Sequence, residues 1–248
     1  MLNYKIEGDG PPLLLCHGFG ISFNIWKELR PLLEKSFTLI SVELPGIGRS
    51  PRPPSSQAYL DFAVKELESL REFLDIPLWS VLGYSSGSRV AEAYLQAHGD
   101  RVERGIFLCP AYVANSRAIG LRIAKKMDEH IPSLGDWVLT GIRIRFLIRL
   151  LGFNLRRHPA VDAWFMEISS QPVEILKETL RSLPEGGARP FSVPCQIPVL
   201  FIWGSEDWIT ANPRIPSSHD VFIRANHSAP QTSAPAVAES ILTFMLWQ

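Results

Sequence analysis

Gly83-Tyr84-Ser85-Ser86-Gly87 follows the apolar run Trp79 to Gly83 and precedes a helical stretch from about Ser86 to His98. A strand that turns at once into a helix forces the residue at the bend into a strained, exposed backbone geometry, at a cost of about 1–3 kcal/mol for a non-glycine residue. Small flanking residues let the strand and helix approach each other. The five letters alone are a weak signal, because glycine and serine are common in turns. In this context they make Ser85 a candidate nucleophile at the carboxyl end of a strand. Such a serine needs a histidine to take its proton and an acid to orient that histidine, in the chain order Ser, Asp, His.

The apolar run Ile197 to Trp203 reads as a buried parallel strand and ends in Gly204-Ser205-Glu206-Asp207. Open α/β sheets place their sites at such carboxyl ends. Asp207 is the candidate acid, with Glu206 as the competing carboxylate. The next strand, Asp220 to Ile223, runs into Asn226-His227-Ser228. Of the six histidines, only His17 and His227 follow predicted strands at their carboxyl ends. His98 ends a helix, His130 and His158 fall in a helical insertion, and His219 precedes its strand. His227 is therefore the candidate base.

A third predicted strand, Pro12 to Cys16, leads into His17-Gly18-Phe19-Gly20. Glycine-rich backbone here can aim an amide N–H into the cleft. Phe19 and Ser86 are the expected backbone donors of an oxyanion hole. His17 reads as a residue that orients this loop rather than as a second base.

Taken together, these residues resemble the α/β-hydrolase fold family, its small cap-bearing members in particular, over nearly the whole chain. Residues 17–20 look like the family's oxyanion loop, 83–87 like its elbow, and 204–207 and 226–227 like its acid and base loops. Val42-Glu43-Leu44-Pro45-Gly46-Ile47-Gly48-Arg49-Ser50 is similar to its D-x-P-G-x-G-x-S turn. Three departures stand out. Glu43 replaces the usual Asp, Ser88 replaces a frequent glycine, and the first strand is expected to be shortened or missing. Relatives with aspartate at the elbow displace halide or open epoxides, and Ser85 argues against both chemistries.

The 248 residues can bury a large core as one domain with an insertion. Helices and strands alternate up to about Pro110, with a helix over Tyr59 to Leu74 and a strand over Gly105 to Cys109. From residue 111 to residue 190 the reading gives four helices and no strand: Ser116 to His130, Asp136 to Leu151, Pro159 to Ser170 and Pro172 to Leu183. The expected architecture is α/β: a mostly parallel central sheet flanked by helices (core 1–110 and 191–248) with a helical cap over 111–190. Twelve Lys and Arg against eight acids give this cap about +4, which is read first as a solvated helix face and second as a wall for a carboxylate-bearing substrate.

The 25 basic and 25 acidic side chains balance, so no nucleic-acid partner is implied. The three cysteines, Cys16, Cys109 and Cys195, cannot all pair and read as buried free thiols of a reducing compartment. No apolar run reaches the roughly 18 residues of a membrane span, and Met1 to Gly10 lacks a signal-peptide pattern. A cytoplasmic protein without stable membrane insertion is expected; the sequence sets no oligomeric state.

The activity the resemblance implies is hydrolysis of a small-molecule carboxylic ester through an acyl-enzyme, with neither metal nor organic cofactor. Tyr84, Trp137, Trp164 and Trp208 are the expected substrate-binding residues of a hydrophobic pocket. The same residues could instead serve a carbon–carbon bond hydrolase or lyase acting on a carboxylated or diketone substrate, or a slow-turnover ligand receptor.

Overall fold

The computed structural model describes residues 1–110, 126–127, 129–130, 159–182, 196–207, 209–210, 213, 217 and 219–246. Among these, seven strands form one sheet: β1 (Tyr4–Glu7), β2 (Pro12–Cys16), β3 (Thr38–Val42), β4 (Trp79–Tyr84), β5 (Val102–Leu108), β6 (Val199–Gly204) and β7 (Asp220–Ile223). Their order is β1-β3-β2-β4-β5-β6-β7. β1 is antiparallel to β3, and every other pair is parallel. The first strand is thus present, though only four residues long.

Alternation along the strands builds two cores. Leu13 and Leu15 face one side of the sheet, where they join Leu82, Ile106 and Leu108. Leu14 and Cys16 face the other, with Ile40, Val81 and Phe107. The period of two is that of a pleated strand buried on both faces.

Helix α1 (Arg30–Leu33) buries Leu33 in the first core, and helices α2 (Tyr59–Phe73) and α3 (Gly87–Ala97) pack in the second. α2 buries Ala63, Leu67 and Leu70 at spacings of four and three, the stripe of an amphipathic helix. It stops where Asp75 enters the left-handed region at φ 52° and the Ile76 N–H turns back to the Arg71 carbonyl. α3 presents Val90, Ala91, Tyr94 and Leu95 to the same core. Glu68 of α2 fastens the two helices, accepting from Arg71 at 2.5 Å and from the Tyr94 hydroxyl at 2.6 Å.

Between β5 and β6 lie α4 (Pro159–Ser170) and α5 (Val173–Arg181). The two expected helices over 116–130 and 136–151 fall largely outside the described residues; Lys126, Met127, Glu129 and His130 are helical. Pro172 is not inside α5 but caps it in an extended conformation, at φ −61° and ψ 139°. α6 (Ala229–Thr232) and α7 (Ala234–Leu246) close the chain, α7 burying Val237, Ala238 and Ile241 in the first core. Among the described residues no helix is long and apolar enough to cross a membrane.

The β4–α3 junction is packed backbone on backbone. A Cβ on Gly83 would stand 2.6 Å from the Ser88 Cα, and one on Gly87 would overlap the carbonyl oxygens of His17 and Cys16. Gly87→Ala should therefore lower the unfolding free energy by about 1–3 kcal/mol. Denaturant melts of the two proteins check this, and an unchanged midpoint would mean the junction has slack that the structure does not show.

Candidate active site

Ser85 sits at the bend with φ 53°, a left-handed conformation rare for a residue with a Cβ. Its N–H still pairs with the Leu108 carbonyl at 3.0 Å, the last rung toward β5, while its own carbonyl accepts from the Ser88 N–H at 3.1 Å. Ser88, one of the sequence departures, donates its hydroxyl to the Gly83 carbonyl at 2.8 Å and so ties the first turn of α3 to the strand before it.

Three side chains from separate loops meet here. The Ser85 Oγ lies 2.9 Å from the His227 Nε2, and the His227 Nδ1 lies 2.8 Å from the Asp207 Oδ2. A carboxylate can only accept, so the ring carries its proton on Nδ1 and turns a free lone pair on Nε2 toward the hydroxyl. All three are buried, with 6%, 4% and 2% of Ser85, His227 and Asp207 exposed.

A buried carboxylate is costly unless its lone pairs are used. Asp207 Oδ1 accepts from the Ile209 and Thr210 amides at 2.7 and 3.0 Å, and Oδ2 accepts from the Thr210 hydroxyl at 2.6 Å. Burial pushes its pKa up, but the adjoining His227 ring and the hydrogen bonds from His227 and Thr210 outweigh it. The acid is held below its ordinary range. Glu206 instead faces solvent and pairs with the exposed Arg224 at 2.9 Å. Of the two carboxylates, only Asp207 reaches the imidazole.

The loop that carries His227 has its own supports. Asn226 Oδ1 accepts from the Ser228 N–H at 2.9 Å, and the Tyr84 hydroxyl donates to the His227 carbonyl at 2.7 Å. Tyr84 is 1% exposed, with its ring 5.4 Å from that of His227. Trp164 of α4 approaches the same imidazole, at 6.4 Å between ring centres. Trp164 also lines a cavity of about 820 Å³ with Ile21, Phe23, Ile25 and Lys5. Trp137 and Trp208 lie outside the described residues.

The loop after β2 passes directly over the serine, since a Cβ on Gly18 would stand 3.0 Å from the Ser85 Cβ. Among the described residues, neither the Phe19 nor the Ser86 amide donates to a backbone carbonyl. His17 joins two loops: its Nε2 accepts from the Leu44 N–H at 2.9 Å, and its Nδ1 donates to the Gly18 carbonyl at 2.9 Å. Glu43 shapes the neighbouring turn, accepting from the Asn3 side chain at 2.7 Å and the Arg49 amide at 2.8 Å.

Cys109, Asp207 and His227 offer ligand atoms within 4.8 Å of one another, the only such cluster of three among the described residues. Two of its members are already committed to the proton network, and burial holds the Cys109 thiol well above its ordinary pKa. This donor set is arranged for hydrogen bonding rather than for holding an ion. Cys16 and Cys109 are free and buried.

A sequence model described as the alpha/beta hydrolase fold matches residues 11–218. The chain belongs to that family. It is 25% identical over 240 residues, 92% of each chain, to a pimeloyl-[acyl-carrier protein] methyl ester esterase of Aeromonas hydrophila subsp. hydrophila. Among solved structures it resembles an esterase from Exiguobacterium antarcticum, with a TM-score of 0.76, 16% identity and coverage of 98% of this chain and 94% of that one. An enol-lactonase from Burkholderia xenovorans LB400 follows, with a TM-score of 0.73, 21% identity and coverage of 99% and 96%. At these identities the two structures speak for the fold alone.

Burial lowers the His17 pKa to about 4, against smaller upward pushes from its bond to Gly18 and from Glu167 and Glu43. The folded ring stays neutral where the unfolded one, near 6.5, protonates. Its contribution is therefore complete above pH 6.5 and is lost as the pH falls toward 4, a difference of about 3 kcal/mol. In His17→Gln the drop in unfolding free energy between pH 7 and pH 4 should shrink by about that amount. Chemical denaturation at the two pH values measures it, and an identical drop would show that the ring is not held neutral.

Proposed function

We propose that this α/β hydrolase is a serine hydrolase of carboxylic esters and that it works through an acyl-enzyme. The observation that carries the reading is the unbroken chain of hydrogen bonds from Ser85 through His227 to Asp207, at 2.9 and 2.8 Å. The similarity to a named methyl ester esterase along 92% of both chains points the same way.

In this reading Ser85 Oγ attacks the ester carbonyl carbon while its proton passes to His227 Nε2. Asp207 stays ionised beside the resulting imidazolium, and the Phe19 and Ser86 amides receive the negative charge on the carbonyl oxygen. Collapse of the tetrahedral intermediate breaks the bond to the alkoxy oxygen, which takes the proton from His227 and leaves as the alcohol. Water, deprotonated by the same Nε2, then attacks the acyl carbonyl, and the carboxylic acid departs as Ser85 recovers its proton.

Tyr84 serves the base rather than the substrate, because its ring is covered and its hydroxyl is spent on the His227 carbonyl. Trp164 is the described aromatic residue best placed to meet an acyl or alcohol group, lining the cavity beside Ile21 and Phe23 while facing the imidazole. Helices α4 and α5 form part of a cap spanning residues 111–190, inserted between β5 and β6.

Ser85→Ala should abolish turnover of short p-nitrophenyl esters and covalent labelling by a fluorophosphonate. Activity retained at the wild-type level would refute the assignment. Asp207→Asn should cut kcat by about 10⁴-fold, as loss of the orienting acid does elsewhere, whereas Glu206→Gln should leave it within about twofold. Steady-state kinetics on the same esters decide between them, and a reversed ranking would move the acid to Glu206.

A further inference from the structure

The segment Gly18-Phe19-Gly20-Ile21 must hold one amide at a fixed place over Ser85, yet apart from the burial of Ile21 it has little backbone hydrogen bonding of its own to hold it. Among the described residues none of the Phe19, Gly20 and Ile21 amides donates to a backbone carbonyl. Gly20 also sits at φ 63°, where no side chain stiffens the turn. The geometry of such a segment is set at its two ends. Upstream, β2 and the His17 ring fix it to the sheet and to Leu44.

Downstream the anchor comes from far away in the chain. Glu167 of α4 accepts from the Ser22 N–H at 2.8 Å, from the Ser22 hydroxyl at 3.0 Å and from the Asn24 side-chain amide at 2.6 Å. A carboxylate bonded to several donors at once is a stiff anchor, because charge-assisted hydrogen bonds are short and strong. Ser22 is buried, so an amide released from Glu167 would have little water to turn to. One helical face makes the remaining contacts. Trp164, Glu167 and Ile168 stand at i, i+3 and i+4. Trp164 faces His227, Glu167 holds Ser22, and Ile168 lies 3.1 Å from where a Gly20 Cβ would be, beside Leu176 of α5 at 2.9 Å.

We propose that Glu167 is a positioning residue for the oxyanion site: by fixing Ser22 and Asn24 it sets where the Phe19 amide points. The inference rests on the reading of Phe19 as an oxyanion donor to the Ser85 adduct. A helix from the β5–β6 insertion thereby completes a site whose reacting groups all come from the core.

The test compares wild type, Glu167→Ala and Glu167→Gln on a p-nitrophenyl ester, with active enzyme counted by exhaustive fluorophosphonate labelling. Removal of one oxyanion donor costs about 100- to 1000-fold in kcat, and a displaced donor should cost part of that. Glu167→Ala is expected to lose about 10- to 100-fold in kcat per labelled site with KM within about threefold. Its affinity for a trifluoromethyl ketone, which forms a tetrahedral adduct on the serine, should fall in parallel. Glu167→Gln turns a donor toward a donor and should shift kcat the same way by a smaller factor; it carries the test if the alanine variant does not fold. Wild-type kcat in the folded variant, or a loss confined to KM, would overturn the proposal. Wild-type protein that takes up no label at Ser85 would instead overturn the serine-hydrolase reading beneath it.

Discussion

At Ser85 the chain is confined to a backbone conformation that its side chain disfavours, and the arrangement of the site follows from that confinement. The residue is gripped on both sides: its N–H by the Leu108 carbonyl of β5, its carbonyl by the first turn of α3. Relaxing φ from 53° would pull α3 away from β2 and β4, against which it packs at Gly83 and Gly87 without room for a methyl group. The strain, about 1–3 kcal/mol, is thus stored by packing and not by any feature of the serine. Its consequence is directional. The hydroxyl projects beyond the carboxyl edge of the sheet, where the loops after β2, β6 and β7 converge.

The second constraint is electrostatic. A carboxylate that is 2% exposed has to be surrounded by donors, and the loop after β6 wraps around its own aspartate to supply them. Charge and loop shape are therefore mutually dependent, so removing either would expose the other to an unfavourable state. The imidazole is a donor that comes from a different loop, and Tyr84 fixes the backbone of that loop from the residue next to Ser85. Strand β4 consequently holds the serine directly and the histidine through a hydroxyl, keeping their separation independent of the wider sheet.

Most of this was legible in local sequence. Strands β2, β4 and β6 and helices α2 and α3 announce themselves through apolar runs or periodicity and through glycine or proline at their ends, and β7 follows as the next apolar run. Ser85, Asp207 and His227 could be picked out because each follows such a strand. Thr210, three residues after Asp207, carried a usable signal, since aspartate readily bonds to its own loop two or three residues on. Glu43 looked like a departure from the turn's usual aspartate, yet it accepts from Asn3 and Arg49 across the loop. Glu167 had no signal at all. It is an ordinary acid on a helix, and its partners lie about 145 residues away, a relation that no spacing rule encodes.

The helices α4 and α5, between β5 and β6, brace the loops around Ser85. Ile168 and Leu176 seat against Gly20 in the loop after β2, and Ile175 seats against Gly46 in the loop after β3, each where a larger residue would collide. Those glycines are required twice over, once by a positive φ and once by the apolar side chains pressing on them. Because the same helix face reaches His227 through Trp164 and Ser22 through Glu167, shifts of α4 are mechanically connected to the backbone over the serine. The described helices of this insertion are thus tied to the loops they hold in place. A substitution along the 164–167–168 face therefore acts on the backbone over the serine as well as on the helix that carries it.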